Sequence, residues 1–300
     1  MADNLQTKTE KLIKYGNEKF GLNETSLRGI LDNAAAGGQG GQYNIEVVKK
    51  TDGNGKVTQA LHITDASSSP SFDPIFGNNS WEQIAEASKI IAKNKYTSRE
   101  VAVNFGWLLG DTKTDIGIDG KTRTIRIIDY NHDDLSDGTG KAGISLDLAG
   151  CEKFGYRMNN ENTNAGGYAA SEMKTETLPT FKALLSSELQ SVIKTVNKKS
   201  ANGGADNFSE VLTTSEELFL LSEVEVLNRE NYAQNGLDEG FVYELYNQLP
   251  ATAIKNQFLW LRSSSKKNTT DYVYLKSTNV DTGSYTPKTT SVYLSYALCI

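Results

Sequence analysis

Four aspartates and one asparagine lie within the segment 129–138, and oxygen-bearing side chains at this density could bind a metal ion. Calcium is the metal this chemistry favours, because its ligands are carboxylate, amide and backbone oxygens. An EF-hand loop counted from Asp129 needs glycine at its sixth position and glutamate at its twelfth, where this sequence has Asp134 and Gly140. An acidic turn is therefore the favoured interpretation, with calcium as a second hypothesis. The candidate calcium ligands are Asp129, Asn131, Asp133 and Asp137.

Two further arrangements of side chains could support catalysis. His132 beside Asp133 could form a general base oriented by a carboxylate, but no Gly-x-Ser-x-Gly motif offers a nucleophile. Glu223 and Glu225, two apart on an expected strand, would face the same side and could pair, although solvation explains them equally well. We expect no enzymatic activity; the alternative is a hydrolase that uses Asp133, Asp137 or the two glutamates.

The carboxyl-terminal segment 263–296 has the composition of a binding surface. Ser, Thr, Tyr, Asn and Asp make up 23 of its 34 residues. Tyrosine gives a large, rigid contact area while small polar side chains adapt their hydrogen bonds, although exposed β-structure has a similar composition. We expect Trp260 to lie in the core beneath this segment. The candidate ligand-binding residues are Tyr272, Tyr274, Tyr285, Tyr293 and Tyr296.

The composition excludes several classes of partner. The chain has 300 residues, with 31 Lys and Arg against 37 Asp and Glu, and its net charge of -6 disfavours nucleic acid. No apolar run is long enough to cross a bilayer, so no membrane insertion is expected, and no signal peptide is readable at the amino end. Cys151 and Cys299, with only two histidines in the chain, predict two buried thiols rather than a zinc site or a disulfide.

Periodicity and turn residues divide the chain into modules that would position these side chains. Apolar residues at helical spacing precede a glycine-rich run, and alternating residues around Asp52–Gly55 predict a hairpin. The predicted modules are a helical attachment and oligomerisation segment at 1–36, a linker at 37–42, a β-hairpin at 43–66, a loop and helical connector at 67–106, and an α+β domain at 107–300.

Individual elements follow from the same patterns and from caps. Helices are predicted over Ser80–Lys93, from a Thr97–Glu100 capping box to Asn104, over Gly167–Thr177 and over Thr180–Leu189. Strands are predicted over Thr112–Ile118, Lys121–Tyr130, Gly143–Ala149, Ser191–Lys198, Leu218–Leu227, Tyr272–Leu275 and Ser291–Ile300.

Six motifs resemble, in sequence order, a family of domains of unknown function found in gut bacteria and their phages and prophages. The motifs lie at 131–138, 164–173, 192–199, 222–226, 260–263 and 297–300. The resemblance covers roughly residues 84 to 300. It implies a C-type-lectin-like fold, shared in outline with formylglycine-generating enzymes and with phage tropism proteins diversified by retroelements. The chain lacks the paired redox cysteines of those enzymes, and it departs from the family at Ser264 and near 292–295.

The resemblance implies a phage virion structural protein, with its C-type-lectin-like domain at the particle surface for host attachment. Such a protein would be made in the host cytoplasm. Its expected partners are other virion proteins, further copies of itself in an oligomer, plausibly a trimer, and a host cell-surface glycan or protein. The alternative is a purely structural decoration or fibre-anchoring protein, and an enzyme of the lectin-like superfamily ranks behind both.

Overall fold

The structure is a computed structural model that describes residues 43–51, 57–65, 72–94, 97–152, 155–204, 210–234, 238–248, 257–268, 270–276 and 282–300. The chain forms two compact units, Met1–Ser71 and Phe72–Ile300. The predicted helical segment at 1–36 and the linker at 37–42 lie outside the described residues. Helices and antiparallel sheets occur together in the second unit, which confirms the α+β class.

The described part of the first unit is a β-hairpin. Strand β1 (Tyr43–Thr51) pairs antiparallel with β2 (Val57–Asp65). Tyr43 lies opposite Asp65 at one end, and Thr51 lies opposite Val57 at the other. The hairpin predicted from residue alternation is therefore confirmed.

The second unit is built on a five-stranded antiparallel sheet in the order β3-β4-β5-β12-β8. Three strands follow one another as predicted, and the carboxyl-terminal strand inserts between β5 and β8. The loop after β4 carries the predicted acidic segment, so the sheet fixes where that segment begins. The strands are β3 (Thr112–Ile116), β4 (Thr122–Tyr130), β5 (Ile144–Leu148), β8 (Leu218–Phe219) and β12 (Ala297–Cys299).

Two smaller antiparallel sheets complete the described strands of this unit. Strand β6 (Val196–Ala201) pairs with β7 (Val211–Glu216). Strand β10 (Tyr272–Leu275) lies between β9 (Leu259–Ser264) and β11 (Thr282–Tyr285). Every residue of β9 and β10 is buried, so both faces of these strands are covered.

Helices α1 (Trp81–Lys93) and α2 (Ser98–Asn104) belong to the same compact unit as the sheets. Trp81 and Ile84 of α1 lie in one apolar cluster with strand residues such as Ile125. The part of the predicted connector that follows residue 71 is thus packed into the core. A capping box at Ser80 begins α1, whereas Thr97 makes no side-chain cap at α2, contrary to the prediction.

Four segments fold differently from the sequence prediction. The predicted strand 218–227 is the short β8 followed by helix α5 (Glu223–Leu227). The predicted helix 167–177 is a 3-10 turn at Tyr168–Ala170 and a π-helix at Met173–Thr177, which runs into α3 (Leu178–Leu184). Helix α4 (Ser187–Val192) takes up the start of the predicted strand 191–198. Of the predicted strand 291–300, only β12 is a strand.

Helix α6 (Glu244–Gln248) is the last helix among the described residues. None of the described helices has both the length and the apolar character that a bilayer crossing requires.

Candidate functional site

Five charged side chains from distant parts of the chain meet in the interior of the second unit. We call Asp133, Lys198, Glu225, Glu239 and Arg262 the buried charge cluster. They come from the loop after β4, from β6, from α5, from the loop before α6 and from β9. None of the five is more than 4% exposed, so each must find its partners inside the protein.

Lys198 joins two of the carboxylates. Its Nζ lies 2.7 Å from Oδ1 of Asp133 and 2.6 Å from Oε1 of Glu225. It also donates to the hydroxyl of Tyr243 at 2.9 Å. Burial by itself would lower the pKa of Lys198, but the two carboxylates more than offset burial and raise it. Lys198 is therefore held as a cation.

Arg262 uses its whole guanidinium in the cluster. Nη1 and Nη2 form a bidentate pair with Glu225, and the remaining donors reach the backbone oxygens of Lys199, Leu220 and Glu239. Burial opposes ionisation of Glu225, but Arg262 and Lys198 outweigh it and lower the pKa of Glu225. The carboxylate of Glu225 is therefore ionised, and its oxygens are bound by Arg262 and Lys198.

The carboxylate of Asp133 also finds its partners inside the protein. In addition to Lys198, its oxygens accept from the hydroxyls of Ser145 at 2.6 Å and Tyr243 at 2.9 Å, and from the thiol of Cys299 at 3.2 Å. Burial opposes ionisation, but Lys198 holds the pKa of Asp133 below its ordinary value. Burial, and Asp133 beside it, raise the pKa of the Cys299 thiol, so this cysteine stays a neutral donor.

Glu239 is the member of the cluster whose side chain has no ion-pair partner among the described residues. Its carboxylate accepts from the backbone N–H of Ala201 at 2.9 Å and from the hydroxyl of Ser263. Burial raises the pKa of Glu239 to about 7, and the attraction of Arg262 only partly opposes that rise. In all, the buried charge cluster contains three carboxyl groups, of Asp133, Glu225 and Glu239, and two groups that stay cationic, Lys198 and Arg262.

A surface pocket of about 220 Å³ opens directly above the cluster. Asp133, Lys198, Glu225 and Glu239 lie at its inner end, and Phe241, whose side chain is 81% exposed, lies at its rim. The remaining residues that line the pocket are His132, Asp134, Lys141, Asn197, Lys199, Asp238 and Gly240.

His132 lines this pocket in a fixed orientation. Its Nδ1 lies 2.8 Å from Oδ2 of Asp129, and its ring stacks on Tyr243 with the centroids 4.1 Å apart. Burial lowers the pKa of His132, but Asp129 and Asp133 outweigh burial and raise it. The predicted orienting carboxylate, Asp133, was wrong: the side chain three residues earlier in the chain makes this contact, because the backbone reverses at the left-handed residue Asn131.

The structure does not gather the predicted calcium ligands around one point. Asp133 points into the interior, where Lys198 supplies the positive charge, while Asp129 binds His132 and the backbone N–H of Glu244. Asp137 is exposed to solvent and accepts from Thr139. Asn131 has the positive φ of a turn. In the part of the chain that is described, no three His, Cys, Asp or Glu side chains are placed to hold a metal ion.

The structure also separates the predicted pair of glutamates. Glu223 and Glu225 lie at the start of a helix, where Ser222 and Glu225 form a capping box. The Glu223 carboxylate turns away and accepts three backbone N–H groups, from Asn231, Tyr232 and Ala233, and a hydroxyl from Thr282. Glu223 therefore anchors the following loop, and Glu225 belongs to the cluster.

Three of the five predicted binding tyrosines lie in the core. Tyr272, Tyr274 and Tyr296 are each at most 8% exposed, and the hydroxyl of Tyr272 donates to the backbone oxygen of Gly167 at 2.8 Å. Assigning them to a surface was wrong: β10, which carries Tyr272 and Tyr274, is covered on both faces, and Tyr296 packs in the main apolar cluster. Tyr285 is 37% exposed and stacks on Tyr274, and Tyr293 is half-buried.

Trp260 is buried as predicted. Both cysteines are free thiols as predicted, but only Cys299 is buried, and Cys151 is half-buried.

The residues that form the pocket were largely missed from the sequence. Lys198, Glu239, Phe241, Tyr243 and Arg262 had no local signal, since they meet only in the folded protein. One signal was present and overlooked. The spacing Ser222-x-x-Glu225 is that of a capping box, which predicts a helix start rather than a strand.

Comparison of the chain with protein-family models, with curated proteins and with solved structures finds no match.

Proposed function

We propose that this protein is a phage virion structural protein whose unit Phe72–Ile300 is a C-type-lectin-like domain. The domain would display the pocket beneath Phe241 at the particle surface, where it binds a host cell-surface glycan for attachment. The family resemblance of the sequence motifs supports the virion role, and the mixed architecture of helices and antiparallel sheets is compatible with the lectin-like fold.

The observation that carries the binding role is the pocket itself. Phe241 is 81% exposed and lies beside polar groups that can hydrogen-bond a ligand, and apolar or aromatic side chains with a few polar groups are the usual lining of a ligand pocket. Lys141, Asn197 and Lys199 provide donors at this rim. An aromatic face next to convergent polar groups fits a sugar ring, which has both apolar and hydroxyl-bearing edges.

Two of the three carboxyl groups beneath the pocket, Asp133 and Glu225, favour binding over catalysis. A catalytic carboxylate needs a reactive lone pair or proton directed at its substrate, whereas Asp133 and Glu225 are held ionised by internal cations. Their partners fix the side chains at the inner end of the pocket before a ligand arrives. A preorganised site of this kind lowers the entropy that binding would cost.

Labelled full-length protein on a panel of gut bacterial isolates tests this proposal. We expect binding to a subset of isolates, and Phe241→Ala should reduce it at least about tenfold because an aromatic anchor is lost. Ile118→Ala is the matched control, since Ile118 is 69% exposed and does not line the pocket. Unchanged binding by Phe241→Ala, or equal losses in both variants, would contradict the proposal.

The virion assignment has its own test. Antibody against the protein, applied to particles from a lysate of bacteria that carry the gene, should label the particle surface. Label confined to the soluble fraction would contradict a virion role.

A structural decoration or fibre-anchoring role is the second candidate. Ile116 and Ile118 are 65% and 69% exposed; Ile116 is the last residue of β3, an edge strand of the main sheet, and Ile118 follows it by two residues. Exposed apolar residues at a sheet edge favour contact with another protein. If this role is the main one, Ile116→Lys should abolish assembly into particles, whereas Phe241→Ala should leave both assembly and infection unchanged.

A further inference from the structure

The charges around the pocket are not balanced. Five carboxyl groups line it, whereas three lysines line it and Arg262 lies behind it. Asp134 pairs with Lys141 at 3.0 Å, and Asp133 and Glu225 are paired with Lys198 and Arg262. His132, which also lines the pocket, pairs with Asp129. Among the described residues, Asp238, Glu239 and Lys199 are left without an ion-pair partner, so the carboxyl groups exceed the cations by one.

Of the two carboxyl groups, Asp238 is exposed to solvent and Glu239 is buried. Glu239 is 1% exposed and lines the pocket, and the donors that reach its carboxylate from the described residues, Ala201 N–H and the Ser263 hydroxyl, are neutral. The guanidinium of Arg262 binds the backbone oxygen of Glu239 instead of its carboxylate. A buried carboxylate without a cation is costly to ionise, so a ligand that brings a positive charge to it removes that cost.

From this arrangement we propose that the pocket binds an amino sugar with a free ammonium group, placed against Glu239. The inference rests on the proposed ligand-binding function of the same pocket and names the class of ligand. The ammonium would be the third cation of the buried charge cluster, and the sugar ring would lie against Phe241.

The size and rim of the pocket favour one sugar residue over a larger ligand. Drug-sized ligands occupy roughly 300–1,000 Å³, and this pocket has about 220 Å³. Asn197, Lys141 and Lys199 line its polar side and can hydrogen-bond hydroxyl groups. Asp238 adds a second carboxyl group beside Glu239, which further favours a cation there and disfavours an acidic sugar.

Calorimetric titration of the full-length protein at pH 7.5 with four probes tests the proposal. Glucosamine carries both the ring and the ammonium, N-acetylglucosamine and glucose carry the ring without the charge, and ethanolamine carries the ammonium without the ring. We expect glucosamine to bind at least about tenfold more tightly than each of the others. If the three sugars bind with equal affinity, the ammonium group does not contribute and the proposed contact with Glu239 is wrong. If ethanolamine binds as tightly as glucosamine, the sugar ring does not contribute and the ligand is not a sugar.

Two matched variants locate the effect. Glu239→Gln keeps the shape of the side chain and should reduce glucosamine affinity to that of N-acetylglucosamine. Glu216→Gln is the control, because Glu216 is also a buried carboxyl with a raised pKa but lines a different pocket. Glucosamine binding that survives Glu239→Gln, or falls equally in both variants, would overturn the proposal. If Glu239→Gln fails to fold, the four wild-type titrations still decide it.

Failure of this inference can be separated from failure of the proposed function. If Phe241→Ala abolishes binding to bacteria while glucosamine shows no preference, the pocket binds a ligand of another class. If Phe241→Ala leaves bacterial binding unchanged, the function proposed for the pocket is wrong, and so is the proposal that the pocket binds an amino sugar.

Discussion

The Tyr-rich segment 263–296 and the buried charge cluster differ in how side-chain type relates to position. The Tyr-rich segment has the composition of an exposed contact surface, yet Tyr272 and Tyr296 lie in the core. The cluster consists of residue types that prefer water, yet Lys198 and Arg262 are almost completely buried. Composition states which contacts a segment can make, and the tertiary fold decides which of them face solvent.

The two regions also achieve burial by different means. Tyr272 is buried by apolar neighbours and needs one hydrogen bond for its hydroxyl, whereas Arg262 needs five acceptors. Removing a cluster residue leaves charges unpaired, while removing a core tyrosine leaves a cavity. Variants in each region therefore measure these two costs separately.

Arg262→Ala should have one of the two largest effects. It leaves Glu225 with Lys198 as its remaining partner cation, and the loss should be about 3–5 kcal/mol in the free energy of unfolding. Urea denaturation of the full chain measures it. Arg99→Ala is the control, because Arg99 forms a surface ion pair with Glu244 and should cost about 0.5 kcal/mol or less. Similar losses in the two variants would mean that the cluster is not buried as described.

Tyr272→Ala compared with Tyr285→Ala tests the placement of the tyrosines. Tyr272 is fully buried, so its truncation should cost about 3–5 kcal/mol, as for other large aromatic residues. Tyr285 is 37% exposed, and its truncation should cost about 1 kcal/mol. Thermal unfolding distinguishes them, and equal costs would contradict the assignment of Tyr272 to the core.

Glu239→Gln should change how stability depends on pH. Burial raises the pKa of Glu239 to about 7, with Arg262 and Glu225 as the charged groups that act on it in opposite directions. Below the unfolded pKa, near 4.5, both states are protonated, and as the pH rises to 7 only the unfolded state ionises, so the folded state loses stability. Glu239→Gln has no ionisable group at this position, so its folded state does not lose stability in this way as the pH rises.

Its stability relative to the wild type should therefore rise by about 3 kcal/mol between pH 4 and pH 8. Urea denaturation at both pH values measures the change, with Glu216→Gln in parallel. A constant difference across this range would show that Glu239 is ionised in the folded protein well below pH 7, and that the cluster already balances its charge.

Ser222→Ala should have the smallest effect of this series. It removes the cap of helix α5, which positions both Glu223 and Glu225, and should cost about 1 kcal/mol. Thr97→Ala is the comparison, because Thr97 makes no side-chain cap and should cost little. A larger loss at Thr97 than at Ser222, measured by thermal unfolding, would reverse this assignment.

The sequence predicts those parts of the fold whose signals are local. The hairpin of β1 and β2, helix α1, and strands β3 to β5 follow from periodicity and turn residues within a short stretch of chain. Helix α5 carried an equally local signal in Ser222-x-x-Glu225, but its alternating apolar residues also fit a strand.

The candidate site could not be predicted in the same way. Asp133 and Lys198 are 65 positions apart, and their contact depends on how β6 packs against the loop after β4. Nothing near Lys198 in the chain distinguishes it from a solvated lysine. The acidic segment did point to the correct region, because His132, Asp133 and Asp134 all line the pocket. The chemistry predicted there, a calcium loop, requires side chains that the turn at Asn131 directs to different partners.

The most direct test of the account compares the two regions for binding to bacterial cells. Full-length wild-type protein, Phe241→Ala and Tyr285→Ala would be titrated on an isolate that binds the wild type, after each variant has been shown to unfold cooperatively. We predict that Phe241→Ala lowers the affinity at least about tenfold and that Tyr285→Ala stays within about twofold of the wild type. Loss of binding in Tyr285→Ala, with Phe241→Ala unchanged, would place the ligand on the Tyr-rich segment and contradict the account.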